Sequence, residues 1–161
     1  MYLKSLIIII TNIFIFFNHL SANEDIVPYD IIDYTIPNSL TNIEGNIKNG
    51  REIVFSRQGN CLACHKIPNE DVLFQGDIGP SLAGVGKRYT IAELRLRLVN
   101  PYALNPDSVM PAFYKVAGLK RVDKKYKEKS ILSAQQIEDV ISWLATLKDC
   151  LLYTSPSPRD S

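Results

Sequence analysis

Residues 61–65 read Cys-Leu-Ala-Cys-His, and no other feature constrains the fold of this chain as strongly. Two thiols three positions apart, followed at once by an imidazole, suit only a few chemistries: a soft metal site, a redox dithiol, a short disulfide, or covalent attachment of a porphyrin. The choice among them depends on what else the chain can offer as a ligand. Its ends must therefore be delimited first.

At the N-terminus, Lys4 precedes a run from Leu6 to Phe17 that is apolar apart from Thr11 and Asn12, and a polar stretch then closes on Ser21-Ala22. A basic end, an apolar centre and a small-residue cleavage site are the order of a secretory signal peptide. The run is short for a bilayer span, which needs about 20 apolar residues. Residues 1–22 are therefore expected to be a signal peptide cut after Ala22, and an uncleaved anchor is the alternative. Either way the domain is exported, and no membrane attachment is expected once the signal is removed.

At the other end, residues 150–160 read CLLYTSPSPRD and follow an amphipathic helix pattern without leading turn chemistry. The segment resembles a translated sequencing adapter, with a natural Pro/Ser-rich tail as the alternative. Residues 150–161 are accordingly set apart from fold reasoning.

The interval 23–149 holds 127 residues with sixteen cations and sixteen anions. A neutral domain of this size fits one hydrophobic core and gives nucleic acid no bulk charge to bind. Its only cysteines are Cys61 and Cys64, its only histidine is His65 and its only methionine is Met110.

Residues 23–45 are rich in Asp, Asn, Ile and Pro, and Pro28 and Pro37 break any helix. An extended arm lying over the domain or over a partner is expected there. The domain proper is expected over 46–149. Ile47, Ile53 and Val54 suggest a first helix from about Ile47 to Asn60, with Gly50 inside it marking a close backbone approach. A long loop follows His65. Thr90 and Glu93 form a capping box opening a helix over 91–99, which Pro101 ends. Ser133 and Gln136 form another, opening a helix whose apolar face is Ile137, Val140, Ile141, Leu144 and Leu147. No strand pattern competes, so the fold class is all-α. Its intervening loops exceed the roughly 12–15 residues usual without something to organise them.

A buried cofactor would organise them. A structural zinc needs four ligands, and only Cys61, Cys64 and His65 are on offer. A redox dithiol wants a βαβ context that is absent, and a Cys61–Cys64 disulfide would close too small a loop to stabilise much. What remains is a c-type haem site, in which each thiol forms a thioether and His65 ligates the iron. Met110, 45 residues beyond His65 and followed by Pro111 in a loop, is the expected second axial ligand; an open site or a lysine is the alternative. The Pro80 carbonyl, in Ile78-Gly79-Pro80, is placed to accept the other N–H of His65, and an ordinary turn is its plainer reading. Arg88 or Tyr89 could bind a haem propionate, or Arg88 could simply be solvated. Residues 120–129 hold six cations against Asp123 and Glu128, a wet loop or a docking site for an acidic partner.

With CLACH, IGPSLAGVGKR and an apolar C-terminal helix containing Trp143-Leu144, the chain resembles the class I cytochromes c. The resemblance implies helices wrapped around one haem c, with Gly50 and Trp143 at the crossing of the first and last helices. The runs GREIVFSRQGNCLACH, FQGDIGPSLAGVG, RLRLVNP, LNPDSVMPAFYKVAGLKRV and ILSAQQIEDVISWLATL, and the arm IVPYDIIDYTIPNSLT, are further similar to the SoxX family. That family supplies the monohaem subunit of the SoxAX cytochromes of sulfur oxidation.

This likeness implies a periplasmic electron-transfer subunit, with Cys61, Cys64, His65 and Met110 carried over by matching motif. The reacting haem would belong to a SoxA-type dihaem or monohaem partner. Together they would form the L-cysteine S-thiosulfotransferase that joins thiosulfate to a cysteine of the carrier SoxYZ, and a small cytochrome c would accept the electrons. The basic stretch matches that family only loosely. A stand-alone periplasmic electron carrier is the alternative. A haem sensor or peroxidase-like enzyme would need an open iron site, against which Met110 argues.

Overall fold

The computed structural model describes residues 26–68, 72–120 and 122–148. The proposed signal peptide and the adapter-like tail lie outside the described residues. The described residues form four α-helices: α1 (Ile47–Phe55), the single turn α2 (Val85–Arg88), α3 (Ile91–Val99) and α4 (Ala134–Leu144). Among the described residues, 3₁₀ turns at Cys61–Ala63, Pro101–Ala103 and Lys124–Tyr126 punctuate the loops. Among the described residues there is no strand; Ile32 and Thr35 form one isolated bridge across a turn.

Local chemistry explains each helix start. Asn46 caps α1 by accepting from the Asn49 N–H at 3.0 Å. Both expected capping boxes form. The Thr90 hydroxyl accepts from the Glu93 N–H while the Glu93 carboxylate accepts from the Thr90 N–H at 2.7 Å. Ser133 and Gln136 repeat the exchange at α4. At α3, the Thr90 N–H and the Thr90 hydroxyl both donate to the Glu93 carboxylate, at 2.7 and 2.9 Å, and hold it below the usual carboxylate range.

Helices α1 and α4 form the main packing contact, with α3 against the other side of α4. The core joins Val54 of α1, Leu94, Leu96 and Leu98 of α3, and Ile137, Val140 and Ile141 of α4. At the α1–α4 crossing, Gly50 lies so close to the Asp139 carbonyl that a Cβ would collide with it, with the Trp143 Cβ alongside. The expected Gly50–Trp143 contact is thus chiefly a glycine-to-backbone contact. Trp143 meets Phe55 edge-on, with ring centroids 6.0 Å apart.

The ends of two helices differ from expectation. Helix α1 stops at Phe55 rather than Asn60, because the Ser56 hydroxyl donates back to the Ile53 carbonyl at 2.7 Å and Ser56 itself is extended. Helix α4 stops at Leu144, so Leu147 packs against the core from beyond the helix end.

The arm lies over this domain. Ile36 and Leu40 are buried in the core, at 1% and 4% exposure. They dock where α3 and α4 share a buried ion pair. Arg95 grips Glu138 through Nε and Nη2 at 2.8 and 2.9 Å, and its Nη1 donates to the Ile36 carbonyl at 2.7 Å. Glu138 in turn accepts from the Leu40 N–H at 2.9 Å. Two buried charges therefore use their remaining hydrogen-bonding capacity on the arm's backbone. Among the described residues no helix is long and apolar enough to cross a membrane.

Candidate functional site

Beyond α1 the chain reverses at Asn60, whose φ of +49° lies in the left-handed region that Asn tolerates. The 3₁₀ turn Cys61–Ala63 follows, and the N–H groups of Cys64 and His65 both donate to the Cys61 carbonyl, at 3.1 and 2.9 Å. One tight turn thus carries both thiols and the imidazole. Both cysteines are free and half-buried. Burial pushes the Cys61 thiol up to about 11, and the neighbouring Cys64 adds to the rise.

The long loop after His65 folds back onto this turn. The Gly76 N–H donates to Leu62, Gly79 to Cys64 and Leu82 to Lys66, at 2.7, 2.7 and 2.9 Å. His65 Nδ1 meets the Pro80 carbonyl at 2.7 Å, as expected from the sequence. That carbonyl can only accept, so Nδ1 is the donor, and in the neutral imidazole Nε2 is the nitrogen with a free lone pair. Gly79 packs flat against the imidazole, where a Cβ would strike the ring. Position and tautomer of His65 are therefore set by backbone alone.

Met110 arrives on a loop anchored at both ends. The turn at Pro101 starts it, with Asn105 N–H donating to Pro101 and Ser108 N–H to Asn105, each at 3.0 Å. Past Pro111, the N–H groups of Phe113 and Lys115 donate to Leu98 and Val99 at the end of α3, at 2.9 and 3.2 Å. The Ser108 hydroxyl accepts from the Met110 N–H at 3.2 Å.

These segments enclose one cavity of about 930 Å³, lined by Cys61, Cys64, His65, Pro80 and Met110 together with apolar side chains that include Leu94, Leu98, Phe113 and Leu144. Such a volume lies near the top of the range of about 300–1,000 Å³ usual for ligand and cofactor sites. Arg88 and Tyr89 also line it. Arg88 donates to the carbonyls of Ser81 and Ala83, which fixes the loop ahead of α2.

Arg97 and Tyr126 line the cavity too, and neither was singled out from the sequence. For Arg97 a signal existed: Leu94, Arg97 and Leu98 fall at i, i+3 and i+4 of α3 and so share one face. Tyr126 had none, since it comes from the basic stretch, which bears on the cavity through this residue. Among the described residues no group of three or more His, Cys, Asp or Glu side chains could hold a metal ion.

Two thiols on one turn, an imidazole with a single free nitrogen, a thioether on a separate loop and apolar walls fit a covalently attached haem. Fold and site together define a class I c-type cytochrome. The cytochrome c family model matches residues 47–148. Among solved structures the chain is similar to one described as the crystal structure of SoxXA from P. pantotrophus, at 40% identity and a TM-score of 0.69, covering 75% of this chain and 95% of that one. The chain belongs to the cytochrome c family and, within it, to the SoxX group. It binds haem c covalently and serves in electron transfer. Comparison with curated proteins finds no match.

Proposed function

We propose that the chain is the electron-transfer subunit of a SoxAX-type L-cysteine S-thiosulfotransferase, exported to the periplasm by residues 1–22. Cys61 and Cys64 would hold the haem through thioethers, and His65 Nε2 and Met110 would be the protein ligands of its iron. When bound, the haem supplies a one-electron couple. The chain's own residues orient it. Pro80 and Gly79 fix the imidazole plane, the Ser108 and Phe113 anchors hold the methionine loop, and the apolar walls exclude water. A thioether distal ligand favours the ferrous state and so suits an electron acceptor.

The partner in this reading is a SoxA-type cytochrome subunit. In the complex, a bond forms between thiosulfate sulfur and the cysteine sulfur of a SoxYZ carrier, the thiol proton leaves, and two electrons are released. This chain takes them singly and passes them to a small cytochrome c. The observation that carries the proposal is the single cavity shared by the Cys61–His65 turn and Met110, joined to the likeness to SoxXA.

Periplasmic co-expression with a SoxA homologue and haem-maturation proteins tests it. Co-purification is expected, with thiosulfate- and SoxYZ-dependent haem reduction only in the complex. A soluble monomer reduced equally well without SoxA would establish the stand-alone carrier instead. Met110→Leu is expected to abolish the weak near-infrared sulfur–iron band; an unchanged band removes Met110 as ligand.

A further inference from the structure

Helix α3 carries two arginines on different faces. Arg95 faces the α4 side and is consumed by Glu138 and the arm. Arg97 lies on the cavity face with Leu94 and Leu98. Its guanidinium sits 3.7 Å from the centroid of the Tyr89 ring, and its Nη1 donates to the Glu93 carbonyl at 3.0 Å. The side chain is thus held by a ring face and a backbone oxygen, neither of which cancels its charge. Glu93, one turn earlier on the same helix, is engaged with Thr90 and also attracts Arg97, but its carboxylate is in contact with solvent, so it offsets only part of that charge.

The other side chains of fixed charge at the cavity differ in one respect. Arg57, Arg88 and Asp107 are exposed, whereas Arg97 is half-buried. Solvent and salt screen the first three, so their fields reach the cavity weakened. Arg97 acts through an apolar wall, where the effective dielectric is lower.

We propose that Arg97 is the residue that sets the electron affinity of this cavity, its stacked guanidinium favouring the reduced over the oxidised haem. Reduction removes one unit of positive charge from the cavity, and a fixed cation in the wall favours that change. The electron comes from the donor of the electron-transfer role itself; no bond in the protein forms or breaks. Arg97 is a positioning residue in the electrostatic sense, acting on the haem without ligating its iron.

The test is spectroelectrochemical titration of the holoprotein, parent against Arg97→Gln, Arg97→Lys and Tyr89→Leu, at low ionic strength. A unit charge about 12 Å away, roughly the span of such a cavity, acting across an effective dielectric of about 20 predicts that, at a fixed ambient potential, Arg97→Gln lowers the reduced-to-oxidised ratio about tenfold. For a one-electron couple that equals a fall of about 59 mV. Arg97→Lys keeps the charge and is expected to stay within about threefold of the parent, because only the stacking geometry is lost. Tyr89→Leu frees the cation and falls between the two.

A ratio for Arg97→Gln within about twofold of the parent overturns the proposal, and so do equal shifts for Gln and Lys, which would mark a structural disturbance. If Arg97→Gln does not accumulate, Tyr89→Leu decides: a lowered ratio supports the proposal and an unchanged one overturns it. The inference rests on haem being held in this cavity, which a pyridine haemochrome spectrum of the same preparations reports separately.

Discussion

Replacing Glu138 by Ala removes one carboxylate that three donors share: Arg95 Nε, Arg95 Nη2 and the Leu40 N–H. Arg95 is only 4% exposed, so its guanidinium would be left charged, buried and unpaired, at a cost of about 3–5 kcal/mol. The orphaned Leu40 N–H would add about 1–3 kcal/mol on its own. Both costs stem from one carboxylate and overlap, so about 4 kcal/mol is the working figure. Against a total of about 5–15 kcal/mol for a domain, that is a large fraction. With a urea slope of about 2 kcal/mol/M, the unfolding midpoint of the holoprotein falls by about 2 M. Far-ultraviolet circular dichroism reads the transition, and limited proteolysis within residues 26–45 reads release of the arm. The double replacement Arg95→Met with Glu138→Leu recovers part of the loss, since no charge then stays buried. A single-variant loss below about 1 kcal/mol, or a double variant as unstable as the single, would refute the clamp.

Gly50→Ala drives a methyl group into the Asp139 carbonyl; a loss of about 1–3 kcal/mol is expected from thermal unfolding, without change in the haem spectrum. Gly79→Ala strikes the His65 ring and is expected to lower haem incorporation, scored by pyridine haemochrome, while Pro80→Ala keeps its carbonyl and incorporates normally. In the haem-free protein, iodoacetamide is expected to label Cys61 fully only as pH nears about 11. The sign follows from the same thiol. Raised from 9.0 to about 11 in the folded state, it keeps its proton there while the unfolded chain loses one, so haem-free stability falls across that interval. Titration of the urea midpoint with pH checks this, and a flat profile counts against a buried Cys61.

How far the fold could be read from sequence depends on the range of each interaction. The capping boxes at Thr90 and Ser133 were legible because partner and cap lie three residues apart. The His65–Pro80 contact was legible from chemistry, since a metal-bound imidazole needs an acceptor and Ile78-Gly79-Pro80 offers one. Helix α2 was hidden: a single turn begun by a left-handed Gly84 carries no periodicity. The end of α1 was missed because one side-chain hydrogen bond from Ser56 decides it. The Arg95–Glu138 pair was invisible for a different reason. Arg95 sits in an alternating Arg-Leu-Arg-Leu run in which nothing marks one arginine as buried, and its partner is 43 residues away. Arg97 was overlooked in the same run, although its spacing from Leu94 and Leu98 betrayed the face it shares with them.

The arm and the last helix have a temporal meaning as well. Contacts that close the domain span most of its length: Val27 to Tyr114 across 87 positions and Leu40 to Glu138 across 98. A chain delivered from its N-terminus displays Cys61 and Cys64 well before Glu138 exists to close the structure over them. Contacts between such distant positions also form slowly once the chain is complete. The architecture that shields the finished cofactor thus leaves an interval in which its two sulfur attachment points stand open.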